Sequence, residues 1–468
     1  MKVALVLHGY PPEQVGGTEL SVRTLAHNLV AEGVEVVVIA GTLDWSPGFA
    51  TTTEVDEGAA RPIQVYKLHR GDLYFDHWHK AREPRVSRAF GEILERERPD
   101  VIHVHHWVRL TSDLVAVAAR CGVPAVVTLQ DLWSTCLLTF RVRPDTRSFC
   151  DADMAPDPCL DCAGVLRPRT PWVEREEAER RFARRTEDLR RELELARVRI
   201  AACDSHATTI RRHLCVPDAQ MDLLPPGVDV QLTRREPLPL PGAGEPLRIG
   251  AWGHLAPLKG ADVLLEAIRR LPDPRAVRLE LAGGEVDPAF AARLRELGEG
   301  LDVHFHDAYD LATLDRHPVS AVHLMATGTR AHESWGLVLD EALLMGLPSL
   351  LPDAGALLDR ARGRGFAALY RQGDPDDLAR VIGELLADPA RIETMRAAIP
   401  APDDCRLTGL EHARRTIPLY QRAIDAGAPP VEAADPESER RAIEDQDAWD
   451  ERLKGATGVE LGFEEESE

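Results

Sequence analysis

The sequence predicts an α/β protein built of two doubly wound, parallel-sheet domains with a cleft between them. Short apolar runs alternate with helical segments, and the alternation restarts after a proline-rich break. The runs are continuously apolar, as strands covered on both faces require. At roughly 100–200 residues per domain, 468 residues make two or three domains.

Residues 3–7 read as the first buried strand, too short for a signal-peptide core or a membrane helix. A loop ending in Gly16-Gly17 follows. Thr18 is placed to cap a helix running to Ala31, with Leu25 and Leu29 inward and Gly33 as the stop. Residues 34–40, 101–105 and 125–129 read as further strands. Pro237, Pro239 and Pro241 mark an interdomain hinge between 232 and 247. Residues 247–252, 277–282, 303–306 and 319–325 then read as strands, separated by helices such as 262–271. The expected division is a first domain over 1–235 and a second over 246–405. A helix over 406–426 returns to the first domain, and a disordered acidic tail covers 427–468.

The net charge is −21, and −10 of it belongs to residues 430–468, where 14 acidic side chains face 4 basic ones. Such a chain is a poor partner for nucleic acid, which needs clustered Lys and Arg. Eight cysteines in this length are no secreted disulfide framework, and no apolar stretch approaches a membrane span. The expectation is a cytoplasmic protein with reduced thiols. Residues 167–199 hold 11 Arg against 8 acidic groups. They offer a peripheral contact with an anionic membrane, or simply a solvated helix of alternating charge.

The most informative segment is His332-Glu333-Ser334-Trp335-Gly336-Leu337, continuing through Glu341 to Gly346 and Pro348. Read as one buried helix, it sets Glu333 and Glu341 about 12 Å apart along the axis and about 80° apart in rotation. That span matches a sugar at one end of a diphosphate and a ribose at the other. Backbone N–H groups at Trp335, Gly336 and Leu337 lie between, ready for phosphate. A plain alternative pairs Glu341 with an internal Arg or Lys. Gly253-His254 through Lys259-Gly260 forms a strand-to-helix turn with a Lys suited to a diphosphate. Gly16-Gly17 occupies the matching turn of the first domain and lets a ligand touch the backbone.

Together these residues resemble glycosyltransferase family 4, retaining nucleotide-sugar enzymes of two Rossmann-like domains (the GT-B fold). Pro225-Pro226-Gly227-Val228-Asp229 and Gly373-Asp374-Pro375 add to the resemblance, which covers about residues 1–425. It implies that Glu333 contacts the transferred sugar, Glu341 the ribose, and Lys259 the diphosphate, with Gly16, Gly17 and Gly253 close to donor or acceptor. The implied donor is a nucleotide diphosphate sugar, and no divalent metal is required for catalysis. Members usually carry Arg where this chain has His254, and often His where it has Gln130, beside the transferred sugar. His105 and His106 end a predicted strand on the cleft side, where they either compensate or are ordinary strand-end residues. The acceptor is a glycan, glycolipid or small molecule. The rival readings are a catalytically degenerate scaffold or binding subunit and, on the same architecture, a nucleotide-sugar epimerase.

Cys136, Cys150, Cys159 and Cys162 fall within 27 residues. Four thiolates, two of them in C-x-x-C, close a structural zinc site or hold an iron–sulfur cluster; free thiols or a disulfide are the alternatives. Some members of the resembling family carry a similar loop after an apolar pair like Leu132-Trp133.

Overall fold

The computed structural model describes residues 1–73, 78, 81–164, 174–214, 220–242, 244–432 and 435–457. The chain opens with β1 (Lys2–Leu7), α1 (Gly17–Ala31), β2 (Glu35–Gly41), β3 (Thr51–Asp56) and β4 (Ile63–Leu68). Next come α2 (Pro84–Glu97), β5 (Val101–Val104), α3 (Leu114–Arg120) and β6 (Ala125–Leu129). A long loop leads to α4 (Pro156–Ala163), α5 (Arg175–Leu195), β7 (Val198–Ala201), α6 (Asp204–His213) and β8 (Asp222–Leu223). The second unit starts with β9 (Leu247–Trp252), α7 (Ala261–Arg269), β10 (Val277–Ala282), α8 (Pro288–Gly298) and β11 (Asp302–His306). It continues with β12 (Leu324–Ala326), α9 (Leu337–Leu344), β13 (Ser349–Pro352), α10 (Gly355–Ala361) and β14 (Ala367–Tyr370). Five helices close the chain: α11 (Pro375–Ala387), α12 (Ala390–Ala397), α13 (Pro402–Cys405), α14 (Gly409–Ala426) and α15 (Pro436–Thr457).

The first sheet has the order β3-β4-β2-β1-β5-β6-β7-β8 and is parallel except for its β3–β4 edge. The second has the order β11-β10-β9-β12-β13-β14 and is parallel throughout. Winding reverses beside β1 in the first and beside β9 in the second. Doubly wound sheets bind ligands at such switch points, beyond the strands' carboxyl ends. Gly16-Gly17 follows β1 and Gly253–Gly260 follows β9, so the topology alone brings both glycine turns to the cleft.

Successive residues of β1 face opposite ways, as a pleated strand requires. Val3, Leu5 and Leu7 pack with Val22, Leu25 and Leu29 of α1. Ala4 and Val6 pack on the other face with Phe90, Ile93 and Leu94 of α2. Each fully buried Leu contributes about 1.5–3 kcal/mol. Helix α14 lies in the same layer as α1, adding Ala413, Tyr420 and Ala423 to that core. The Tyr420 hydroxyl is 2.8 Å from Nδ1 of His103 on β5.

Several local expectations change. Helix α1 starts at Gly17, with extended Gly16 as its cap residue and no side-chain cap bond, so Thr18 lies inside the helix. The run 319–325 is a strand only at its end, because Pro318 lacks an N–H and starts a 3-10 turn over Pro318–Ser320. The proline segment is fixed to the second unit rather than hinged: Pro239 O accepts from His323 Nε2 at 2.9 Å and Leu238 O from Arg396 at 3.0 Å. Leu232 and Arg235 already pack there. The chain crosses between units at Gly227–Val228 and Arg406–Leu407, paired by Val228 N donating to Leu407 O at 2.9 Å. Asp229 then accepts from Gly409 N and from Asn28, each at 2.7 Å, tying that crossing to α14 and α1.

Of the basic stretch, 167–173 lies outside the described residues; most of the rest forms α5, and Val198 and Arg199 begin β7. Its charges pair along the helix, as Arg181 with Glu177 and Arg190 with Glu187. Among the described residues no helix is long and apolar enough to cross a membrane.

The expected disorder over 427–468 does not hold for α15. Ala442, Ile443, Gln446, Trp449 and Asp450 turn inward at helical spacing, and Trp449 is only 4 % exposed. It sits among Leu137, Leu160, Ala178 and Phe182, with the Arg181 guanidinium 4.1 Å from its ring centre. Asp447 and Glu439 reach Arg85 and Arg88 of α2 at 2.7 and 3.0 Å. Acidity here is complementarity to a basic neighbour; residues 458–468 lie outside the described residues. Replacing Trp449 with Ala is expected to cost about 3–5 kcal/mol. Urea unfolding would show it as a lowered midpoint, whereas a solvated tail would show no change.

Candidate active site

The turn after β9 is shaped by a close approach. Gly260 has φ +66°, and a Cβ there would stand 1.9 Å from Gly328 O, so only glycine lets the two segments touch. Arg330, two residues on, makes the junction permanent. Its guanidinium donates to both carboxylate oxygens of Asp262 at 2.7 and 3.0 Å, and to Pro257 O at 2.8 Å. Asp262 is fully buried. Such a bidentate pair offsets its desolvation only while both partners are present.

This clamp sets Lys259 beside Glu333, with Nζ to Oε1 at 2.9 Å. Thr329 Oγ1 donates to the same oxygen at 3.0 Å. Glu333 is mostly shielded, at 18 % side-chain exposure, while Lys259 keeps 42 % and stays open to the cleft.

The Glu333–Pro348 segment is not one helix. Helix α9 begins only at Leu337, after Gly336 at φ +81°, so Glu333 lies in the preceding loop and the axial spacing derived for one helix does not apply. Gly336 breaks it: a Cβ there would meet Leu357 Cδ2 at 2.7 Å. Arg360 holds the break, donating to Trp335 O and Gly336 O, each at 3.1 Å, and to Asp340 Oδ1 at 2.6 Å. The Trp335 indole donates to Asp340 at 2.8 Å and lies under the same guanidinium.

Glu341 is 7 % exposed, and its partner is neither Arg nor Lys: the Trp252 indole N–H donates to Oε2 at 2.6 Å. Burial pushes the Glu341 carboxyl up to about 7, against the lowering by that bond. Such a group holds a proton in the folded chain that it has lost in the unfolded one, so its contribution to stability falls as pH rises from about 4.5 to about 7.

On the first-domain side, Gly17 points at α9: a Cβ there would lie 3.4 Å from Leu337 Cδ1. Gln130 Nε2 donates to His105 Nδ1 at 3.0 Å, beyond the end of β5. Burial depresses His105 to about 3, so it stays neutral. His106 stands 3.3 Å from Asp131. His254 is exposed at the rim of the β9 turn. The two units also touch around Glu333. Phe149 stacks on His332 with centroids 3.4 Å apart, Cys203 Sγ donates to Ser334 O at 3.4 Å, and Arg147 reaches Asp262 at 3.3 Å. A cavity of ≈ 820 Å³ between the units is lined by Trp335 and Arg360 but by neither Lys259 nor Glu333.

The first unit matches the family model described as Glycosyltransferase Family 4 over residues 15–232. The second matches Glycosyl transferases group 1 over 246–388. A D-inositol 3-phosphate glycosyltransferase of Xylanimonas cellulosilytica is 30 % identical over 452 residues, covering 90 % of this chain and 96 % of that protein. The chain belongs to glycosyltransferase family 4. It is a glycosyltransferase of the GT-B fold. Among solved structures, the sucrose-phosphate synthase of Thermosynechococcus elongatus superposes with TM-score 0.67 at 21 % identity, covering 91 % of this chain and 99 % of that one. Anabaena HepE in complex with UDP does so with TM-score 0.60 at 16 % identity, covering 90 % and 100 %.

In this glycosyltransferase the candidate residues Glu333, Lys259, Trp335, Gly336, Leu337 and Gly17 therefore meet at one place, with Gly16 and Gly253 in the flanking turns. Asp262, Arg330, Asp340 and Arg360 were not singled out by the sequence. Their partners are distant in the chain, and the only local signal is the Arg three residues before Glu333. All seven described cysteines are free thiols. Cys136, Cys150, Cys159 and Cys162 border one small cavity, yet among the described residues no three His, Cys, Asp or Glu side chains are placed to hold a metal ion as they stand.

Two outcomes test this geometry. Arg330→Met leaves Asp262 buried without its bidentate partner and is expected to cost about 3–5 kcal/mol in urea unfolding. Glu341→Gln should flatten the stability–pH curve between about 4.5 and about 7 relative to the parent. An unchanged slope would place that proton uptake elsewhere.

Proposed function

We propose that the chain transfers a sugar from a nucleoside diphosphate sugar to an acceptor hydroxyl, with retention at the anomeric carbon. The observation that carries this reading is the Lys259–Glu333 pair at the β9 crevice, set before α9 and opposite Gly17. Lys259 and the amino end of α9 supply positive potential where the departing diphosphate gains charge, so the reading needs no divalent metal. Glu333 holds hydroxyls of the transferred sugar. Glu341, made polar inside an apolar helix, takes the ribose hydroxyls. Gln130 hydrogen-bonds the sugar from the first domain.

The anomeric carbon–phosphate oxygen bond breaks while the acceptor oxygen forms its bond on the same face. The acceptor's proton leaves with the diphosphate oxygen that departs. No protein group need carry it, which fits a neutral His105 and a Gln at position 130. UDP bound to HepE supports a nucleotide donor. The relative's name, a glycosyltransferase of inositol 3-phosphate, fits a small polar acceptor as one member of the glycan, glycolipid or small-molecule class. A second reading, a binding subunit without turnover, is favoured by Gln130 and His254 standing where the family usually has His and Arg.

Donor turnover separates the two. Glu333→Ala and Lys259→Ala are each expected to lower transfer or slow donor hydrolysis by about 100-fold or more, read by product chromatography. Unchanged turnover in both would remove the site, and binding without any parent turnover would favour the second reading. His254→Arg should tighten nucleoside diphosphate binding about 5- to 10-fold in calorimetry, because it adds a bidentate cation at the rim.

A further inference from the structure

Cys136, Cys150, Cys159 and Cys162 arrive from three separate pieces of chain. Cys136 follows the short 3-10 turn Trp133–Thr135, Cys150 follows the isolated bridge between Val142 and Phe149, and the last two share α4. All four line one cavity of ≈ 30 Å³. We infer that these thiols bind a single zinc ion as a closed tetrathiolate that fixes the shape of the loop over 136–162.

As the side chains stand, the cavity has the size of a single ion. It suits one ion and not the eight atoms of a [4Fe–4S] cluster. Leu138 N–H donates to Cys136 Sγ at 3.3 Å. A zinc ion with four thiolates carries a net −2 charge, and the surroundings are cationic. Arg141 and Arg143 line the cavity, and Arg185 lies within electrostatic reach of Cys136 and Cys159. No carboxylate is among the described lining residues.

As they stand, the four thiols border the cavity without the close grouping a bound ion imposes. Binding therefore requires the four side chains to rotate until each sulfur lies about 2.3 Å from the ion. Four S–H bonds break, four Zn–S bonds form and four protons pass to solvent, with no oxidant or reductant involved. A four-sulfur shell leaves no open position, so the ion is structural. It adds to the packing of Leu137 and Leu160 of the loop against Ala178, Phe182 and Trp449. The loop's tip places Phe149 on His332, next to Glu333, and Arg147 on Asp262.

The test uses the full chain, isolated under reducing conditions without chelator. Elemental analysis should find about one zinc per chain. Titration with an organomercurial should release that zinc to a metallochromic dye as the loop thiols are modified. Cys159→Ser and Cys162→Ser should each lose the metal, while Cys405→Ser in the second unit should keep it. Zinc below about a tenth of an equivalent would overturn the inference. So would iron with acid-labile sulfide, or an intact mass showing a disulfide in the loop. Should the serine variants fail to fold, the stoichiometry and thiol titration of the parent chain still decide.

Discussion

The buried pair of Asp262 and Arg330 is the interaction on which the candidate donor site rests. It joins the turn that carries Lys259 to the loop that carries Glu333, two segments about seventy residues apart that touch at Gly260 and Gly328. Neither functional side chain is held by regular structure of its own. Lys259 ends a single 3-10 turn, and Glu333 lies in the loop between β12 and α9. Without the clamp each would lose its fixed distance to the other, and rotamer freedom would replace a 2.9 Å contact. A buried pair of this kind adds little net stability over an apolar substitute but defines one arrangement. Asp340 and Arg360 repeat the device one loop later, where Gly336 turns the chain into α9.

The two units are closed on each other around the same few residues. Gly17 meets Leu337, Phe149 covers His332, and Cys203 reaches Ser334, so the first domain touches the loop on both sides of Glu333. The main chain passes between units at two adjacent strands, Gly227–Val228 and Arg406–Leu407, which are bonded to each other. That pairing explains the role of Pro225-Pro226-Gly227-Val228-Asp229: Gly227 permits contact with Gly409, and Asp229 anchors the start of α14. The motif is architectural: it ties the crossing between the two units to the start of α14.

Four adjacent strands of each sheet were legible in the sequence, because buried strands write themselves as continuous apolar runs and glycines mark the turns beyond them; β3, β4, β7 and β8 of the first sheet and β13 and β14 of the second were not read. The candidate donor residues stood out by type: a carboxylate such as Glu341 is conspicuous in an apolar segment. Their geometry was not. An apolar stretch hides the break at Gly336, because the break depends on Leu357 and Arg360, which lie some twenty residues further on. Helix α15 was illegible for the opposite reason. Its single Trp449 and short inward stripe are outweighed by acidic residues whose basic partners, Arg85 and Arg88, lie about 350 residues away. Composition reports charge but not what it faces.

The proposed function seats a nucleoside diphosphate between Lys259 and the amino end of α9. A crystal structure of the full chain with a nucleoside diphosphate is the decisive experiment. The diphosphate is expected against Lys259 and the backbone of Trp335, Gly336 and Leu337, with the ribose at Glu341. A nucleotide lodged instead in the ≈ 820 Å³ cavity beside Arg360, with Lys259 still bonded only to Glu333, would contradict it.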